Sequence, residues 1–180
     1  DLSVSRGLGD VYKRQDIVVT AAGGLVGEVV QIWKPKELNT FETEWGFSCM
    51  SYEISGALGI KMAKPDQDVI AFVGDGSYLL QNSDIYSSVL YDKKLIIVVC
   101  DNGGHMVINR LQLAKGGNEY LCNLNAARAT NVQFVDFEAH AKSMGANGET
   151  VKSISELEAA FKRAKESDKT YVISMKTDGY

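Results

Sequence analysis

Cysteine is scarce in this chain, and the three present, Cys49, Cys100 and Cys122, are an odd number at spacings that fit neither a disulfide framework nor a zinc site. They read as buried thiols, and a reducing cytoplasm suits them. Long apolar runs are missing too. Stretches such as Leu95 to Cys100 fall far short of the roughly 20 residues that span a bilayer, and the first residues hold no apolar signal-peptide core. There is no basic block, and a net charge of −4 offers no general attraction to nucleic acid or anionic lipid. Neither is expected as a partner, so an anionic ligand must be gripped locally. Internal repeats and low-complexity tracts are absent. So are a Gly-x-Gly-x-x-Gly after a strand and a Walker-type Gly-Lys-Ser/Thr, which argues against dinucleotides and nucleoside triphosphates.

What remains is an ordinary globular composition, 45% apolar and 23% charged over 180 residues, enough for one domain with a respectable core. Short β-branched runs alternate with helical patterns, which predicts an α/β domain with a mostly parallel sheet flanked by helices. Strands are expected at Ile17 to Thr20, Asp68 to Val73, Leu95 to Cys100 and Tyr171 to Met175. Helices are expected at Met50 to Ala63 and Asn82 to Tyr91, and a less regular stretch runs around Ala114 to Thr130. Asp136 has the position of a cap for a helix ending at Gly145, with Phe137, Ala141 and Met144 on one face. Ser155 and Glu158 have capping-box spacing ahead of an apolar stripe of Leu157, Ala160, Phe161 and Ala164.

Asp1 to Gln15 break this rhythm, with two glycines, an isolated Tyr12 and a Lys13-Arg14 pair. Val4 to Gln15 resembles translated adapter sequence, which would make residues 1–15 non-native; a linker from a preceding domain is the alternative. The domain proper is expected over residues 16–180.

The most informative segment runs from Val69 to Asn109. A buried strand breaks at Gly74-Asp75-Gly76-Ser77, a helix crosses over, and a second strand ends at Asp101-Asn102-Gly103-Gly104. In a parallel sheet both breaks lie at the C-terminal edge, where open α/β sheets bind ligands. Asp75 and Asn102 then face one site with a hard-oxygen donor set, which suits Mg2+ beside a diphosphate, and a free carbonyl would complete it. Gly74 and Gly76 permit positive φ and close approach, so that nearby amides and the Ser77 hydroxyl could bind phosphate. Either tripeptide alone is most often a simple turn. The pair, each directly after a β-type run and one crossover apart, is far more specific.

This pair resembles the signature of thiamine-diphosphate enzymes. The resemblance implies that Asp75, Asn102 and the Gly104 carbonyl bind Mg2+, although Asp101 stands where the family often has a second asparagine. Upstream, Glu44 to Glu53 resembles the family segment that supports the middle of the cofactor. By that likeness Met50 is the wedge beneath the V-shaped cofactor, and the Ser48 carbonyl accepts from its aminopyrimidine. Ser51 replaces the usual glycine after the methionine.

Within the family, Tyr52-Glu53-Ile54, the Asp101 to Gly104 loop, Ile108 to Gln112 and Thr177 to Tyr180 are similar to the trihydroxycyclohexane-1,2-dione hydrolases of myo-inositol catabolism. That likeness implies a cytoplasmic, homo-oligomeric enzyme that opens a cyclic diketone with water to 5-deoxyglucuronic acid, the cofactor acting as electron sink. His105 is a candidate proton shuttle, and His140 reads as an ordinary helix residue. The family's activating glutamate sits in a separate pyrimidine-binding domain of a second subunit, so Glu44 and Glu53 are not assigned that role. The chain is accordingly expected to be a C-terminal cofactor-binding domain, truncated and inactive by itself. Another lyase or carboligase of the acetohydroxyacid-synthase kind, and a noncatalytic nucleotide- or metal-binding Rossmann-like module, are the alternatives.

Overall fold

The computed structural model describes residues 15–128 and 134–178. The expectation that residues 1–15 are foreign falls almost wholly outside them. Six strands form one parallel sheet in the order β2-β1-β3-β4-β6-β5. They are β1 (Ile17–Thr20), β2 (Phe41–Thr43), β3 (Val69–Gly74), β4 (Ile96–Asp101), β5 (Asn147–Val151) and β6 (Tyr171–Lys176). Among the described residues, seven α-helices accompany them: α1 (Gly23–Ile32), α2 (Tyr52–Ala63), α3 (Asp75–Leu80), α4 (Ser83–Leu90), α5 (Met106–Ala114), α6 (Phe137–Ser143) and α7 (Ile154–Glu166). Among the described residues no helix is long and apolar enough to cross a membrane.

The central strands are apolar on both faces because helices cover both. On one side Ile17, Val19, Ala71, Val73, Ile97 and Val99 pack with Ile54, Tyr78, Ile85 and Phe137 from α2, α3, α4 and α6. On the other, Val18, Ile70, Ile96, Val98 and Ile173 meet Leu157, Ala160, Phe161 and Ala164 of α7, with Val29 of α1 packed alongside. Each fully buried side chain of this size contributes about 1.5–3 kcal/mol relative to exposure.

The Leu157 stripe is as the sequence predicts, but the cap of α7 lies two residues earlier. Ser153 Oγ accepts the Glu156 N–H at 3.2 Å, and Glu156 reaches back to accept the Lys152 N–H at 2.7 Å. Ser153-x-x-Glu156 has the same spacing as Ser155-x-x-Glu158, and it prevails because Ser153 keeps extended backbone (φ −148°, ψ 162°) while Ser155 is already helical. Asp136 caps α6 as expected, accepting the Ala139 N–H at 2.9 Å.

The order of the strands places the site. From β1 the chain moves to β2 on one side, then returns to the other side of β1 for β3 and β4. That reversal opens a crevice at the carboxyl ends of β1 and β3.

Candidate functional site

A cavity of about 690 Å³ opens along that edge of the sheet. Its walls are the segments that leave the strands: Ala22 to Leu25 after β1, Gly74 to Ser77 after β3, Asn102 to Ile108 after β4 except Gly103, and Met175, Thr177 and Asp178 at the end of β6. Ser48 and Met50 close another side. Except at the buried Ser77 hydroxyl, the sequence-predicted binding residues therefore meet in one place.

Asp75 opens α3 with its carboxylate buried. Its Oδ2 accepts the Gly104 N–H at 2.7 Å across the gap between β3 and β4. The Asn102 amide nitrogen donates to the Gly104 carbonyl at 2.9 Å and to Asp75 Oδ1 at 3.2 Å. With the amide turned over, its oxygen would stand from both of these oxygens at the spacing of neighbouring ligands around Mg2+, since metal–oxygen distances of about 2.0–2.1 Å put adjacent ligands about 3 Å apart. Among the described residues no three histidine, cysteine or carboxylate side chains gather. One carboxylate, one amide and one carbonyl suit a hard cation that takes its other ligands from phosphate and water. Burial, and then the Asp101 carboxylate, hold Asp75 above the ordinary range; a divalent cation beside it would oppose both effects.

Asp101 itself bonds to other groups. Its Oδ1 accepts the Gly103 N–H at 3.1 Å and its Oδ2 pairs with Lys176, whose Nζ lies 4.8 Å over the Phe134 ring. The aspartate in place of an asparagine therefore ties the loop to β6 and leaves the donor set intact.

Two expectations about the glycine turn are corrected. Gly74 is extended (φ −75°, ψ 156°), and Gly76 is not among the positive-φ glycines; those lining the cavity are Gly23 and Gly104. Glycine at 76 instead makes room for the His105 ring, since a Cβ would stand 2.5 Å from Nδ1 and the ring would have to swing aside. The Ser77 hydroxyl does not face a phosphate either. It accepts the Ser51 N–H at 2.5 Å and donates to Glu53 Oε2 at 2.8 Å, because the first turn of α3 carries it inward against α2.

In the supporting segment Glu44 accepts the Cys49 N–H at 2.7 Å and the Phe47 N–H at 2.9 Å, and these bonds, Cys49 first, lower its pKa. Ser48 (φ 51°) and Ser51 (φ 76°) both adopt left-handed backbone, which folds the turn so that Met50 lines the cavity. Ser51 has thus kept the conformation that glycine adopts freely. Ser51→Gly is expected to stabilise the fold by about 0.5–1 kcal/mol through relief of that strain. A denaturation midpoint at or below wild type would instead give the larger weight to the bond from the Ser51 hydroxyl to the Met50 carbonyl.

The reading of three buried thiols fails for Cys49, which is exposed because its loop lies outside the sheet; Cys100 and Cys122 are half-buried, and all three are free. Cys100 lines the cavity, but burial pushes its thiol up to about 12, so it is no thiolate nucleophile at neutral pH. His105 is exposed at the rim of the cavity, and its N–H donates to the Cys122 carbonyl at 2.7 Å. His140 lies elsewhere, with Nδ1 2.8 Å from the Tyr78 hydroxyl. Sequence reading missed the contribution of α1 and α5: Gly23, Gly24, Leu25, Glu28 and Arg110 line the same space. The available signal was Ala21-Ala22-Gly23-Gly24, a run of small residues directly after a strand.

Comparison with known proteins agrees with this geometry. Residues 21–175 match the family model described as thiamine pyrophosphate enzyme, C-terminal TPP binding domain. The chain is 38% identical over 170 residues to the 3D-(3,5/4)-trihydroxycyclohexane-1,2-dione hydrolase of Halalkalibacterium halodurans, an alignment covering 91% of this chain and 26% of that protein. It is 35% identical over 179 residues to the Bacillus subtilis protein of the same name, covering 96% of this chain and 28% of that one. The chain therefore spans about a quarter of the length of these curated relatives. Among solved structures, the thiamine diphosphate-dependent 4-hydroxybenzoylformate decarboxylase of Rhodococcus jostii RHA1 superposes with a TM-score of 0.83 at 18% identity, over 99% of this chain and 32% of that one. At that identity the likeness is one of fold.

Proposed function

Because the chain belongs to the thiamine pyrophosphate enzymes, through their C-terminal TPP-binding domain, we propose that it binds the diphosphate end of thiamine diphosphate through Mg2+ held by Asp75, Asn102 and the Gly104 carbonyl. The observation that carries this reading is the gathering of Asp75, the Asn102 amide and the Gly104 carbonyl at the crevice of the sheet, the amide within 2.9 Å of the carbonyl oxygen and 3.2 Å of Asp75 Oδ1. The reaction proposed for the intact protein is hydrolytic opening of trihydroxycyclohexane-1,2-dione to 5-deoxyglucuronic acid in the cytoplasm. Its support is the 35–39% identity to relatives that bear the name of that hydrolase.

Bound thiamine diphosphate supplies an electron sink for cleaving a carbon–carbon bond beside a carbonyl. The chain's own residues bind and orient it. Gly76, having no side chain, lets a diphosphate approach the backbone, and Gly74 leaves the same edge open. Met50 props the middle of the cofactor, and the Ser48 carbonyl is offered as an acceptor. His105, its ring against Gly76, is the candidate to move a proton at an imidazole nitrogen. Glu44 is engaged by the Phe47 and Cys49 amides, and Glu53 by Ala22 and Ser77. A second subunit is therefore proposed to supply the pyrimidine-side domain and its glutamate.

The intact protein, loaded with thiamine diphosphate and Mg2+, should convert the cyclic diketone to the ring-opened acid and leave pyruvate untouched, as read by mass spectrometry. Turnover of pyruvate without the diketone would replace this reaction with a carboligase or lyase reaction. Residues 1–180 alone should bind the cofactor weakly in a calorimetric titration and show no turnover; robust catalysis by them would overturn the need for a second domain.

A further inference from the structure

Glu53 is the most deeply buried carboxylate of the described chain, with no exposed surface, in the first turn of α2. Packing gives no reason for it. Its neighbours Ile54, Ala57 and Leu58 belong to an apolar cluster, and burying a carboxylate there costs free energy that an apolar residue would avoid. What the carboxylate does is touch two other segments. Oε1 accepts the Ala22 N–H at 3.3 Å, at the cap of α1, where no side chain offers an N-cap bond. Oε2 accepts the Ser77 hydroxyl at 2.8 Å, and Ser77 in turn accepts the Ser51 N–H at 2.5 Å.

Those contacts join three of the segments around the cavity: Ala22 after β1, Ser51 beside Met50, and Ser77 in the turn that begins with Gly74. Ser51 is also the residue held at φ 76°, and a left-handed serine persists only where its surroundings hold it. The chain of bonds from Glu53 through Ser77 to the Ser51 amide supplies that hold. It also sets the distance between the turn that seats the diphosphate and the turn that presents Met50.

We propose that Glu53 is a positioning residue that locks the Met50–Ser51 turn in register with the Gly74–Ser77 turn and the start of α1, so that the two ends of one cofactor meet a preformed seat. The inference rests on the thiamine-diphosphate reading of the cavity. Its energetic logic is preorganisation: a ligand spanning both turns gains from their fixed spacing, and one touching a single turn does not.

The test measures two probes with Mg2+ on the intact protein, thiamine diphosphate and inorganic diphosphate. Glu53→Ala should weaken thiamine diphosphate by about tenfold or more and inorganic diphosphate by less than about threefold. Glu53→Gln, which keeps the shape and can bond both Ala22 and Ser77, should restore thiamine diphosphate to within about threefold of wild type. Ser77→Ala should show the same selective loss as Glu53→Ala, and the double variant should be no worse than the worse single one, because the two substitutions break one chain of bonds. If Glu53→Ala fails to fold, Ser77→Ala and Glu53→Gln still decide. Equal loss of both probes would reduce Glu53 to a stability role, and unchanged affinity for both would remove any role; either result overturns the proposal. A wild-type protein that binds neither probe would instead overturn the cofactor reading itself, and this inference with it.

Discussion

Asp75→Ala is expected to remove Mg2+-dependent binding of thiamine diphosphate from the intact protein, with a loss of affinity of about a hundredfold or more. Asp75 is the one carboxylate of the donor set, and the same group fixes the partner loop through the Gly104 N–H. Asp75→Asn separates these two tasks. Asparagine can still accept from Gly104, but it lacks the charge that opposes the cation. Since burial already disfavours the ionised aspartate, the neutral variant should match or exceed wild type in thermal stability when no metal is added, while binding no cofactor. Calorimetric titration of both variants at saturating Mg2+, beside their melting curves, checks the split. Affinity within threefold of wild type for either variant would remove Asp75 from the metal site.

Gly104→Ala should be the most damaging single methyl in the site. A Cβ there would stand 2.4 Å from the Cys122 carbonyl oxygen, a main-chain atom with little freedom, and the backbone sits at φ 136°, closed to L side chains. Strain and overpacking together are expected to cost about 3 kcal/mol or more. For a chain of this size that corresponds to a fall in melting temperature of roughly 6–12 °C. Because the Gly104 carbonyl is also proposed as a ligand of Mg2+, the variant should lose Mg2+-dependent cofactor binding as well as stability. Gly74→Ala is the control: it has ordinary φ and open space where its Cβ would lie, so its melting temperature should stay near wild type. A Gly104→Ala protein as stable as Gly74→Ala would refute the close packing of the loop on Cys122.

The parts of the fold that were legible in the sequence are those governed by local chemistry. Val69 to Val73 and Leu95 to Cys100 announce buried parallel strands because both faces of the sheet are covered and both must be apolar. The two strand-end motifs announce the site because a parallel sheet delivers its C-terminal ends to one edge. Elements with weak local signals escaped. Gly23, Gly24 and Gly27 obscure α1, since glycine disfavours helix, and only three residues make up β2. The six-residue α3 is hidden inside what reads as a turn. The roles of Ser77 and Glu53 could not be read at all: their bonds join positions 24, 26 and 31 residues apart, and no periodicity encodes such a meeting.

Without a cation the Asn102 amide nitrogen donates to both the Gly104 carbonyl and Asp75 Oδ1, so the proposed metal would enter only by turning that amide over. Exchanging its nitrogen for its oxygen beside Asp75 and Gly104 takes a half-turn about one side-chain bond, while the backbone of the loop, held by the Asp75–Gly104 bond, stays where it is. Side-chain rotations of that kind are fast, on the order of nanoseconds to microseconds, whereas Mg2+ gives up its water slowly. Loading of the proposed site would therefore be paced by dehydration of the ion, and a cation of similar size that sheds water more readily should enter faster.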